Sequence, residues 1–172
     1  MPLTLIKETG AGLVDANSYA DVADGDAYHD GHLYASAWTA ASADQKAVAL
    51  VMASRLIDAE YQFGGTRAVA TQSLQWPRRQ CRILDDEDAL AEIMVPKAVV
   101  QATCELAREL LLVDRTASPA GEGLKYYNIA GVQTGYDKAD TRPVIPGVVQ
   151  ALLAKYGVLI SAKSGAVKLT RV

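Results

Sequence analysis

Arg55-Leu56-Ile57-Asp58-Ala59-Glu60-Tyr61-Gln62-Phe63-Gly64-Gly65-Thr66-Arg67, followed by Gln72, Leu74 and the tripeptide Trp76-Pro77-Arg78, takes the chain from a helix through a glycine turn to a rigid aromatic-proline stop. The helix that feeds this stretch begins at Ser42. Ser42 and Gln45 have capping-box spacing, and Ala47, Leu50, Val51, Ser54, Ile57 and Tyr61 recur at the helical period, with Arg55, Asp58 and Gln62 off that stripe. Gly64-Gly65 is expected to close the helix, because glycine accepts the left-handed conformation without a Cβ clash. Pro77 restricts Trp76 to an extended backbone. Arg55, Asp58, Tyr61, Gly65, Arg67, Trp76, Pro77 and Arg78 form no catalytic constellation.

Toward the N-terminus, residues 3–14 read as a short strand and glycine turn, or as an arm. Asn17 or Ser18 is expected to cap a helix running to about His29, with Asp21 and Asp24 near its positive end and Gly25 weakening it. On the other side, residues 66–95 read as irregular. Pro96 opens a second long helix with a broad apolar face (Val99, Val100, Thr103, Leu106, Ala107, Leu110, Leu111) that ends near Asp114. Ser118 to Gly123 is a connector. Leu124–Ile129 and Val132–Tyr136 then predict a β-hairpin, which needs a helix or a neighbouring subunit to lean on. A third helix is expected from about Pro146 to Tyr156, stopped by Gly157. The closing Ala166–Val172 alternates with Val167 and Leu169 on one face, a strand suited to another protein's sheet edge. The fold class is mainly α: a small helical bundle with a β-hairpin and extended N- and C-terminal arms. Its organisation is an N-terminal arm over 1–17, a body over 18–160 with the hairpin near 124–136, and a tail over 161–172.

Composition limits the function classes. A chain of 172 residues fits one domain, and with aromatics at only 6% an alanine-rich core must pack closely between helices. A net charge of −3 and a pI near 5.4 argue against a dedicated nucleic-acid binder, though they leave room for a local basic patch. Acid gathers at the start (Glu8, Asp15, Asp21, Asp24, Asp26 and Asp30 against Lys7), and base at the end (Lys155, Lys163, Lys168, Arg171). Such ends are either solvated or complementary between subunits meeting around a ring. Cys81 and Cys104 make no disulfide framework and no metal spacing, which, with no signal peptide evident, points to a reducing cytosol. No run approaches the ~18 apolar residues of a membrane span.

Candidate chemistry is sparse. His29 and His32, with Asp26 and Asp30 beside them, have a helical spacing that Gly31 interrupts, and a solvated helix end is the favoured reading; no metal or cofactor is expected. Neither cysteine has a histidine neighbour, no Gly-x-Ser-x-Gly elbow occurs, and the glycine pairs lack a phosphate-loop pattern. No enzyme activity is expected. For DNA, Trp76 with Arg78, Arg79 and Arg82 (and Arg67 nearby) could neutralise phosphates and stack a base. The alternative, which the residue types favour, puts Trp76 in the core and pairs the arginines with the acidic run Asp85 to Asp88.

The Arg55–Arg78 block, together with the opening Asp15-Ala16-Asn17-Ser18-Tyr19, Ala27-Tyr28, the proline-led helix with Glu105-Leu106-Ala107, and the apolar-basic end, resembles the head-tail adaptor (head completion, connector) family of tailed bacteriophages. That group also carries a DnaT-like single-stranded-DNA-binding label. The resemblance implies a structural, non-enzymatic virion neck protein. Its subunits would form a homo-oligomeric, twelve-fold ring that connects the portal protein to the next neck or tail protein. The ring extends a channel through which genomic double-stranded DNA passes without specific binding. It further implies assembly in the host cytoplasm, residence in the virion neck, and docking on the portal through Val167, Lys168, Leu169, Thr170, Arg171 and Val172. The alternative is a single-stranded-DNA-binding protein.

Overall fold

The computed structural model describes residues 3–81, 94–117 and 142–160, together with the strands Tyr126–Ile129 and Val132–Gly135. It is mainly α, with short two-stranded sheets. Residues 3–20 form an irregular loop laid against the body. Its buried Glu8 carboxylate accepts from Gly10 N (2.8 Å), Gly12 N (2.9 Å) and Leu13 N (2.8 Å), so the glycine turn wraps an anion. Asn17 and Ser18, expected as helix caps, belong to this loop instead. Asn17 Oδ1 accepts from Ile6 N at 2.8 Å and its amide donates to Thr4 O, while Ser18 Oγ donates to Ala20 O at 2.7 Å.

The first helix, α1 (Val22–Asp30), is capped by Asp21, with Asp24 closing the box from the third position. Each of the two aspartates accepts one backbone N–H, and together they put negative charge at the positive end of the helix. A five-residue helix the periodicity did not show, α2 (Ser36–Ala40), follows and carries Trp38 into the core. α3 (Ala43–Glu60) starts as expected, Ser42 and Gln45 forming the capping box. It stops before the glycines. Tyr61 already belongs to strand β1 (Tyr61–Phe63), and Gly64-Gly65 makes the turn out of that strand. Gly65 has φ +69°, and a Cβ there would stand 2.2 Å from Arg79 O, so the position is closed to other residues.

The stretch expected to be irregular holds β2 (Thr66–Arg67), paired antiparallel with β3 (Arg78–Arg79). α4 (Lys97–Leu112) follows Pro96 and is the central element, packed against α1, α2, α3 and α5 (Gly147–Leu153). Beyond the broad apolar face expected, it is buried round its whole circumference from Ala102 to Arg108. The charges this encloses are paired: Arg108 reaches Glu105 at 2.6 Å and Glu109 at 2.8 Å. β4 (Tyr126–Ile129) and β5 (Val132–Gly135) form the expected hairpin. α5 is shorter than the sequence suggests because the chain turns at Tyr156 into β6 (Gly157–Leu159), which pairs antiparallel with β1 in the register Tyr61↔Leu159, Gln62↔Val158 and Phe63↔Gly157. Gly157 is therefore a strand residue: a Cβ would meet Gln62 O at 2.6 Å. No helix among the described residues is long and apolar enough to cross a membrane. The tail over 161–172 and the acidic run Asp85 to Asp88 lie outside the described residues.

Candidate functional site

Asp58, Gln75 and Trp76 of the Arg55–Arg78 block meet Tyr19 at one buried junction between the N-terminal loop, α3 and the loop before β3. Asp58, off the apolar stripe of α3, accepts from the Tyr19 hydroxyl through one oxygen and from Gln75 N at 2.9 Å through the other. The Tyr19 oxygen in turn accepts from Gln75 N (3.1 Å) and Trp76 N (3.2 Å). Gln75 then donates its amide to Asp58 O at 2.7 Å and Tyr61 O at 3.1 Å. Burial pushes the Asp58 carboxyl up to about 6, although the Tyr19 and Gln75 hydrogen bonds and the charges of Arg67 and Arg78 pull the other way. Burial and the Asp58 charge together hold the Tyr19 phenol well above its ordinary range.

Trp76 stands at the centre of the core, fully enclosed, with its ring edge-on to Phe63 (5.6 Å between centroids) and Tyr156 (6.1 Å). Its peptide bond to Pro77 is cis. Arg78 is buried too, and its guanidinium donates to Gly64 O (2.6 Å), Gly65 O (2.8 Å), Gln75 O (3.1 Å) and Phe63 O (3.3 Å). A planar fork suits a ring of carbonyls in a way a lysine ammonium does not. Gln72, buried beside it, accepts from Val69 N and donates to Leu74 O and Pro77 O.

Trp76 therefore packs in the core, as the residue types favour, and the DNA-contact alternative loses Trp76 and Arg78. Trp76 has no face for a base, and Arg78 has no free donor direction for a phosphate. Arg82 lies outside the described residues. What remains exposed is Arg67 on β2 and Arg79 on β3, the two outward arginines of one short ribbon. Neither guanidinium makes a hydrogen bond or ion pair among the described residues. Arg55 is exposed on the outer face of α3, Tyr61 is buried, and the segment Val167 to Val172 assigned to portal docking lies outside the described residues.

The histidines are not a solvated helix end. His29 is buried, its ring 4.9 Å from that of Trp38 and its Nε2 3.1 Å from Cys104 O, and burial lowers its pKa. His32 lies 3.5 Å from Glu105. Among the described residues no group of three or more histidine, cysteine, aspartate or glutamate side chains could hold a metal. Sequence reasoning missed the work of Tyr19 and Gln75. The available signal was Tyr19 in the opening Asn17-Ser18-Tyr19, quoted for its resemblance without a role.

A family model described as "Putative DnaT-like ssDNA binding protein" matches residues 3–172, nearly the whole chain. No curated protein and no solved structure matches it.

Proposed function

The chain belongs to this DnaT-like family, and from that membership we propose that it binds single-stranded DNA without catalysing a reaction. The match over residues 3–172 carries the reading. The contacts come from the exposed ribbon arginines, Arg67 and Arg79, and not from the Trp76–Arg78 core. Binding of this kind grips the phosphate backbone, so it is sequence-tolerant and falls with salt. Fluorescence anisotropy with a single-stranded oligonucleotide across a salt series tests it. Affinity that declines with salt, and weakens for Arg67→Ser/Arg79→Ser in a folded protein, supports the reading; no binding at low salt sinks it.

A second reading is favoured by a specific observation: the aromatic and the arginine best suited to DNA are both consumed by the core, in a chain with net charge −3. The Arg55–Arg78 block is then a rigid fastening for a structural subunit. That subunit would be a phage neck adaptor, forming a ring between the portal and the next neck or tail protein around a DNA channel. Quantification by mass spectrometry in purified virions separates the two. A ratio near one-to-one with the portal subunit supports the adaptor, and absence from particles removes it. Removing residues 166–172 should then leave a folded subunit that no longer joins portal-containing heads.

A further inference from the structure

α3 is apolar on two opposite sides. Its inner face sends Leu50, Ala53 and Ile57 into the core, but outward Val48 is 53% exposed, with Met52 one turn further on. Together they form a ridge with a groove along each flank. One groove, about 310 Å³, is floored by Ala49, Leu110 and Leu111. The other, about 380 Å³, is floored by Leu3, Val51 and Leu56. Asp44 closes one end of the ridge and Arg55 the other. Both are exposed, and neither side chain has an ion-pair or hydrogen-bond partner among the described residues.

Positions 44, 48, 52 and 55 advance by helical steps and so share one face. They run charge, apolar, apolar, opposite charge over roughly 16 Å at 1.5 Å per residue. The pattern is self-complementary. A two-fold axis across α3 near Leu50 brings Asp44 to Arg55 and Val48 to Met52 of a second molecule.

We propose that this face is a contact between two copies of the chain, packed antiparallel through α3. Met52 of one copy lies against Val48 of the other, and Asp44 of each pairs with Arg55 of its mate. The same surface supplies ridge, grooves and both charges, which is what an isologous contact requires and what an unrelated partner has no reason to match. The apolar ridge supplies the affinity. The exposed ion pairs add little strength but fix the antiparallel direction, since a parallel arrangement sets like charges together. The contact does not depend on DNA or on either functional reading above.

Sedimentation velocity of the full chain over a wide concentration range tests this. A reversible monomer–dimer equilibrium is expected. Asp44→Arg or Arg55→Asp alone should weaken it about tenfold, because two symmetric pairs per dimer become repulsive. The double reversal should restore it, and Met52→Glu should abolish it. Asp44 and Arg55 are exposed and Met52 is half-buried on the outer ridge, away from the core, so each variant should keep the parent circular-dichroism spectrum. A chain that stays monomeric throughout overturns the proposal. So does association that ignores Met52→Glu, or single reversals that the double variant fails to rescue.

Discussion

The Tyr19 hydroxyl donates to the Asp58 carboxylate while accepting from the backbone N–H groups of Gln75 and Trp76, so one phenol oxygen joins the N-terminal loop, α3 and the loop that leads to β3. The junction has an electrostatic consequence. Burial raises the Asp58 carboxyl to about 6, against roughly 4 in an unfolded chain. A carboxyl raised on folding binds its proton more tightly in the native state. Its stabilising contribution is complete below about pH 4 and is lost as pH rises through about 6. Asp21, despite its burial, is lowered by Asp24 N–H and Lys7, and Asp26 is lowered by Lys46 and Trp38, so both act at lower pH. His29 works in the opposite direction, because burial lowers its pKa and its native-state contribution is lost as pH falls below about 6.5. Comparison with Asp58→Asn isolates the carboxyl: as pH falls from about 7.5 to about 5, the parent should gain stability relative to that variant by on the order of 1 kcal/mol. A difference that does not change with pH assigns the dependence to another group.

Tyr19→Phe isolates the hydrogen bonds from the packing. Gln75 N keeps a second acceptor in Asp58 at 2.9 Å, but Trp76 N, buried, is left with none. The loss should be about 1–3 kcal/mol, the usual penalty for an orphaned buried donor. Urea denaturation measures it, with Tyr34→Phe, at a 72% exposed position, as the neutral control.

Trp76→Ala separates core from interface. Enclosed as the ring is, truncation should destabilise the chain by ~3–5 kcal/mol. Oligonucleotide affinity per folded molecule should not change. If affinity drops while stability holds, the ring meets a base in some other conformation and the burial argument fails.

The two thiols should be inert in the native state. Burial raises both, Cys104 to about 12, and neither has exposed surface. A thiolate is the reactive form, so a thiol reagent should label neither residue until denaturant is added. Rapid labelling of Cys81 in buffer would show that Gly64 and Tyr156 part from it without global unfolding.

Much of the helical frame was legible because it obeys local rules. The Ser42–Gln45 box, the period of Leu50, Ser54 and Ile57, and Pro96 ahead of α4 each act within a turn or two of chain. What escaped was set at long range. β1 ends α3 because β6, almost a hundred residues on, pairs with it, and nothing near Tyr61 announces that. Arg78 reads as a phosphate ligand until Gly64 O and Gly65 O close on it. Asp58 and Tyr19 are 39 positions apart, so their bond has no local period to betray it.

Gly25 sets local propensity directly against packing. Within α1, exchanging glycine for alanine should favour the helix by up to about 1 kcal/mol. Here, however, the Trp38 ring lies where the methyl would go, with a Cβ placed 2.3 Å from its nearest ring carbon. Trp38 has little freedom to retreat: its Nε1 donates to Asp26 at 2.8 Å, and the His29 ring packs against it with 4.9 Å between centroids. Overpacking a fixed ring costs about 1–3 kcal/mol, which exceeds the propensity gain. Gly25→Ala should therefore destabilise the chain by roughly 1–2 kcal/mol. Gly147→Ala, at the start of α5 with no atom within 4 Å of the new Cβ, should be neutral or stabilising. Opposite shifts in melting temperature for the two variants would show that Gly25 is kept for the ring above it. A gain at both would mean that the α1–Trp38 contact yields more readily than its hydrogen bond implies.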